Sequence, residues 1–276
     1  MKKTLLVALT LGATATANLA VAGNVDPEQS HKQFVDYFKA KNPNIEFENY
    51  RLGAYNYSED KMAQWESVEE FPPYLDAVDA GEALYNKDKA VYDKCFGSDV
   101  SKVRVKYPLF NEKTQQVETL EQQINKCRTD AGLKAFKWKK GDIAKLSAYY
   151  AYNARGQKID VKIDSEGARK AFEAGQEFFI QPRGQLNLSC AKCHVYNAGR
   201  KARANILSPA LGHTTHFPVF RAKWQELGTL HRRYDGCNKN MRAKPFKAQG
   251  ETYRNLEFFQ AYMSNGLEID GPGYRE

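Results

Sequence analysis

Residues 188–197 read LSCAKCHVYN, and the five from Cys190 to His194 form a C-x-x-C-H motif. Two thiols three positions apart can add as thioethers across the two vinyl groups of a porphyrin. The histidine that follows is then held beneath the iron as the proximal ligand. In an exported chain this spacing reads as c-type haem attachment. A zinc site would want a second pair of ligands at metal-binding spacing, which His213 and His216 could supply. A redox C-x-x-C would want a βαβ setting, and none surrounds the motif. The motif thus points to one covalently bound c-type haem, on Cys190 and Cys193, with His194 on the iron.

The N-terminus supports export. Residues 1–22 carry Lys2 and Lys3, then an interrupted apolar stretch ending Ala20-Val21-Ala22, the small-residue pattern that signal peptidase accepts. The apolar run is too short for a membrane span, and no later segment is apolar enough to cross. The expectation is a periplasmic protein, mature from about Gly23. Loss of the two lysines brings the formal charge from +8 to +6, a surplus that suits anionic partners. No dense Lys/Arg run interleaved with aromatics suggests nucleic acid.

Working outward from the motif, the chain repeats itself. Gly175 lies fifteen residues before Cys190, and Gly81 lies fourteen before Cys95, each after an alanine in a helical apolar pattern. Gly156 follows Cys127 by 29 residues, and Gly266 follows Cys237 by 29. At that offset of 110, Leu146, Ala151 and Tyr152 fall on Leu256, Ala261 and Tyr262. Each half reads as helix, cysteine at a loop, second cysteine, closing helix and a glycine stop. The first half lacks the haem motif, since Cys95 is followed by Phe-Gly-Ser. The expected fold is mostly α, with two tandem cytochrome c-like domains, 23–155 without haem and 156–276 with it. Residues 156–164, GQKIDVKID, alternate as a short strand or an extended linker. HKQFVDYFKAK near the start has helical spacing, and the role of residues 23–70 stays open.

With Cys190 and Cys193 on haem, Cys95 and Cys127 remain as a disulfide for an oxidising compartment. Closing its 32-residue loop is worth about 3–4 kcal/mol. Cys237 is left over, in the duplicated place of Cys127. Met241, Met263, His213, His216, His231 and Cys237 all compete for the sixth position on iron, with open coordination as the remaining alternative. Arg232, Arg233, Lys239 and Arg242 surround Cys237. Such cations favour thiolate, and a thiolate on iron lowers the potential.

With these residues in view, the chain resembles the SoxA family, the c-type cytochrome subunits of periplasmic sulfur-oxidising SoxAX complexes. The resemblance runs through EEFPPYLDAVDAGEALY, GQLNLSCAKCHVYNAGR, NILSPALGHTTHFPVFRAKW, GTLHRRYDGCNKNMRAKPF and YRNLEFFQAYMSNGLEIDGPG. It implies haem ligation by His194 and Cys237, with Cys237 as the catalytic centre, found in the family as a persulfide. It implies that Arg233 holds the anionic substrate. The implied activity joins thiosulfate to a cysteine of a SoxYZ-like carrier, two electrons leaving through haem, with a SoxX-like cytochrome as heterodimer partner. Some members carry a second haem in the first domain. This chain resembles the single-haem type, with Cys95–Cys127 as disulfide. Two other readings are a plain electron-transfer cytochrome with a passive Cys237, and a tetrathionate-forming thiosulfate dehydrogenase. The latter usually bears two C-x-x-C-H motifs.

Overall fold

The structure is a computed structural model and describes residues 26–276; the expected signal segment 1–22 lies outside them. Helix α1 (Pro27–Lys41) begins at Asp26, whose carboxylate accepts from the Glu28 and Gln29 amides. An irregular 3₁₀ run (Phe47–Tyr57) leads into α2 (Glu59–Glu70). The first half follows as α3 (Leu75–Lys87), α4 (Lys89–Phe96), the hairpin β1 (Leu109–Asn111) and β2 (Gln116–Glu118), α5 (Leu120–Asp130) and α6 (Asp142–Asn153). The second half holds α7 (Glu166–Ile180), a π-helical turn (Lys192–Tyr196), and the small ribbon β3 (Lys201–Ala202) and β4 (Asn205–Ile206). It continues with the hairpin β5 (Val219–Arg221) and β6 (Glu226–Gly228), then α8 (Leu230–Asn240), α9 (Glu251–Tyr262) and β7 (Gly273–Arg275). Among the described residues no helix is long and apolar enough to cross a membrane.

The offset of 110 governs more of the fold than the spacings suggest. The bounds of β5, β6 and α8 are those of β1, β2 and α5 moved by that number. Gln115 and Gln225 turn the two hairpins with the same left-handed φ, 52° and 53°. The helix crossings also coincide. A Cβ on Gly81 would sit 2.2 Å from the Lys145 carbonyl oxygen, and one on Gly175 would sit 2.1 Å from that of Asn255. Glycine at these points lets α3 reach the backbone of α6, and α7 that of α9. Gly156 and Gly266 stop the closing helices at φ 77° and 88°.

Each half has its own core. Tyr74, Tyr85, Tyr92, Tyr149 and Tyr150 dominate the first. Phe172, Phe178, Phe179, Tyr253, Phe258 and Phe259 lie in the second. In the first, Cys95 and Cys127 form a disulfide with Cα atoms 6.1 Å apart. Neighbouring rings fill the space around it, with Phe96 against Tyr150 at 5.6 Å and Tyr107 at 6.2 Å. Cys95, expected at a loop, lies on α4 instead, and the second cysteines of the two halves, Cys127 and Cys237, lie on α5 and α8.

Residues whose role the sequence leaves open acquire one. Val35 and Phe38 of α1 are buried in the second-half core. Lys41 donates to the Val195 and Tyr196 carbonyls at 2.6 and 3.0 Å, and the Tyr37 hydroxyl donates to Val195 at 3.3 Å. Helix α1 thus satisfies carbonyls at the end of the turn that carries His194. The 156–164 stretch is extended and pairs with the chain's end: the Ile159 amide donates to Leu267 at 2.9 Å, and the Ile269 amide to Gln157 at 2.8 Å.

Because backbone stands in the way, Gly175→Ala is expected to destabilise by about 1–3 kcal/mol. Gly236→Ala, whose Cβ would meet nothing within 4 Å, is expected to be neutral or slightly stabilising. Thermal unfolding of the two variants checks this. Replacing Cys95 and Cys127 by alanine is expected to cost about 3–4 kcal/mol, read as a drop in denaturation midpoint that a reductant reproduces in the wild type.

Candidate functional site

The C-x-x-C-H residues sit on one tight turn. The Ser189 hydroxyl accepts from the Lys192 amide at 3.0 Å, and the Asn197 side chain donates to the Lys192 carbonyl at 2.7 Å. His194 donates from Nδ1 to the Ser208 carbonyl at 2.9 Å. That bond fixes the tautomer with a bare Nε2, the form a metal needs. Behind it, the Ser208 hydroxyl lies 3.0 Å from His213 Nε2, and the Gln260 amide 3.1 Å from His213 Nδ1. The Tyr234 hydroxyl donates to the Gln260 side-chain oxygen.

Cys237 comes to this place from α8. His194, Arg233 and Arg221 are the groups that act most on its thiol. Burial pushes the Cys237 pKa up. Arg233, the neighbouring His194 ring and Arg221 outweigh that and bring it down to about 7. The cations are needed because Cys237 is in the last turn of its helix, where the macrodipole disfavours an anion. Burial raises the other two thiols, assisted by the charge of Cys237, and takes Cys190 to about 12. Three sulfurs thus share one neighbourhood, and the third is held towards thiolate.

Arg233 stands one helical turn before Cys237 on the same face. Its guanidinium has no hydrogen-bond or ion-pair partner among the described residues. Lys239 and Arg242, weighed with it from the sequence, are exposed and are not among the main charges acting on the thiol. Arg232 pairs with Glu226 at 3.0 Å. Arg221 on β5 was not legible as part of this site, since it lies sixteen positions away in a three-residue strand.

The other candidate ligands are otherwise engaged. Both ring nitrogens of His213 face side-chain partners, and His216 is buried beside the Phe217 ring at 4.9 Å. Burial lowers both of these imidazole pKa values, helped at His213 by His194 and at His216 by Arg275, so both are neutral. His231 lies between the halves, with Nε2 3.1 Å from Glu257. Met241 and Met263 are buried, Met263 in the second-half core.

These residues fit a covalently held haem. The two thiols could hold the porphyrin as thioethers, and His194 Nε2 and the third sulfur could serve as ligands to its iron. Arg183 adds a buried Nε without a partner, near Cys190, its guanidinium stacked on Phe178 at 3.8 Å. An orphaned donor there suits a carboxylate such as a haem propionate.

The chain matches the family described as SoxA/TsdA, cytochrome c domain, in two segments, residues 80–159 and 174–269. These segments fall on the two halves of the repeat, so the fold is two tandem cytochrome c-like units. The chain is 48% identical to the L-cysteine S-thiosulfotransferase subunit SoxA of Chlorobaculum tepidum, over the full length of both. It is 44% identical to that of Allochromatium vinosum, with 98% of each chain covered. Among solved structures it is similar to a chain of SoxXA from P. pantotrophus, with a TM-score of 0.70 and 29% identity, covering 78% of this chain and 84% of that one. A repeat with one intact haem motif, a third sulfur drawn to His194 and full-length identity to these relatives place the chain in the SoxA family.

Proposed function

We propose that this chain is the thiosulfate-transferring subunit of a SoxAX-type L-cysteine S-thiosulfotransferase. The observation that carries this reading is the convergence of Cys237, unpaired Arg233 and the Cys190–His194 turn. Cys190 and Cys193 would hold the single haem as thioethers, with His194 and Cys237 as axial ligands. When bound, the haem supplies the acceptor for the electrons that the reaction releases. The first half would carry none, its equivalent space being taken by the Cys95–Cys127 disulfide and packed rings.

In the reaction, a sulfur–sulfur bond forms between a cysteine of a SoxYZ-like carrier and the outer sulfur of thiosulfate. The carrier thiol loses one proton, and two electrons are removed. Arg233 binds the dianion, because a guanidinium presents a fork of donors to sulfonate oxygens. The sulfur of Cys237, as thiolate or persulfide, is steadied by the same cation that neutralises the substrate. The disulfide and the N-terminal segment suit the periplasm, and a SoxX-like cytochrome is the expected partner.

Electron paramagnetic resonance of the oxidised protein is expected to show a low-spin ferric signal of thiolate character. In Cys237→Ser that signal is expected to vanish, with transfer lost and covalent haem retained. A spectrum unchanged by the substitution would remove Cys237 from the iron and with it this reading. Arg233→Gln is expected to raise KM for thiosulfate about tenfold to a hundredfold, the worth of one charge-assisted hydrogen bond. Steady-state kinetics with a carrier protein measure this.

A further inference from the structure

We propose that His213 is a positioning residue for His194. Through Gln260 and Tyr234 it joins the histidine of the C-x-x-C-H turn to the helix that carries Cys237. The inference rests on the reading of His194 as the ligand of a covalent haem, and adds the residues that set how that ligand is held.

The loop after the motif turns back on His194 at three points. The Ser208 carbonyl accepts from His194 Nδ1 at 2.9 Å, and the Ala210 amide donates to the His194 carbonyl at 2.8 Å. The His213 ring meets the His194 ring edge-on, with centroids 4.5 Å apart and planes at 79°. His213 also holds the side chain of Ser208, whose hydroxyl lies 3.0 Å from its Nε2.

From His213 the contacts run on with a single polarity. Gln260 donates through Nε2 to His213 Nδ1 at 3.1 Å, and its Oε1 accepts from the Tyr234 hydroxyl. With Nδ1 accepting, the neutral imidazole has its proton on Nε2, which donates to Ser208 Oγ. Every link then pairs one donor with one acceptor. The chain is also tied down at its flanks. Ser264 donates from Oγ to the Gln260 carbonyl at 2.9 Å and accepts from the Gly212 amide, next to His213, at 3.2 Å. Tyr234 lies on α8, three residues before Cys237, so the helix that brings in the sulfur also anchors the far end of the chain.

The internal repeat is an independent comparison. At the offset of 110, which sets Pro218 on Pro108, His213 falls on Val103, Tyr234 on Ile124 and Gln260 on Tyr150. All three are fully buried in the first-half core. The Tyr150 hydroxyl makes no hydrogen bond among the described residues. The scaffold therefore folds with apolar contacts at these positions, and the polar chain occurs in the half that has a histidine to orient. Burying polar groups costs desolvation that hydrogen bonds offset only when complete, so packing alone does not call for this chain. Partners on the ring nitrogen away from a metal set the orientation and basicity of a histidine ligand.

The test uses the oxidised holoprotein, joined to its cytochrome partner for kinetics. Electron paramagnetic resonance gives the g-values of the His194 haem, and a redox titration gives its midpoint potential. His213→Leu is expected to shift the g-values and to raise the potential, because a less firmly held imidazole is a weaker donor to ferric iron. It is also expected to lower kcat about tenfold with KM for thiosulfate unchanged. His213→Gln, which can accept from Gln260 and donate to Ser208, is expected to restore most of the wild-type spectrum and potential. Tyr234→Phe keeps the ring and removes the last donor. It is expected to shift both readouts the same way by less, and it decides the matter if His213→Leu does not fold. Wild-type g-values and potential in folded His213→Leu, or in Tyr234→Phe in its place, would overturn the proposal, as would an equal shift in His213→Gln. A wild-type chain without covalent haem, or a haem signal that His194→Ala leaves intact, would sink the haem reading itself.

Discussion

The site depends on the crossing of α7 and α9 at Gly175, where any side chain would strike the Asn255 carbonyl. Helix α7 leads towards the haem turn, and α9 carries Gln260, which holds both His213 and Tyr234. Fixing the two helices backbone to backbone therefore fixes the shell behind His194. The same crossing occurs at Gly81 and Lys145 in the half that has lost the motif. The scaffold is thus set by helix packing, and the chemistry is an addition to it.

What separates the halves is mainly electrostatic. Cys127 and Cys237 occupy equivalent places near the ends of equivalent helices. One meets a thiol and closes a disulfide. The other meets a histidine and two arginines, and its pKa is brought down to about 7 against the pull of burial. At the positions equivalent to Arg221 and Arg233 the first half has Asn111 and Gln123, which carry no charge.

The halves also meet through a buried polar seam that follows the repeat. The Ser147 hydroxyl donates to Glu121 at 2.8 Å, and His231 lies 3.1 Å from Glu257. These pairs fall on one another at the same offset of 110. Burial, then the charge of Glu257, raises the pKa of Glu121. Gln249 links across, accepting from Thr119 at 2.7 Å while its amide donates to His231 at 3.0 Å. The Thr119–Gln249–His231 chain ties the two halves together across this seam, while the side-chain nitrogen of Gln249 is buried without a hydrogen-bond partner among the described residues.

Much of this protein was legible in its residues because the relevant signals are local. The C-x-x-C-H spacing, the repeat offset, the glycines at 81 and 175 and the oddness of Cys237 all lie within short windows or fixed intervals. The approach of Arg233 to Cys237 needs only a helix, whose turn sets four residues on one face. Arg221, Ser208, Gln260 and the bracing by α1 were not legible, because strand pairing and helix crossing bring them in from distant positions. Periodicity says which residues share a face; it does not say which face another segment will meet. The sequence determined the cofactor chemistry, while tertiary structure decided the charge around it, because electrostatic energy depends on distance in space.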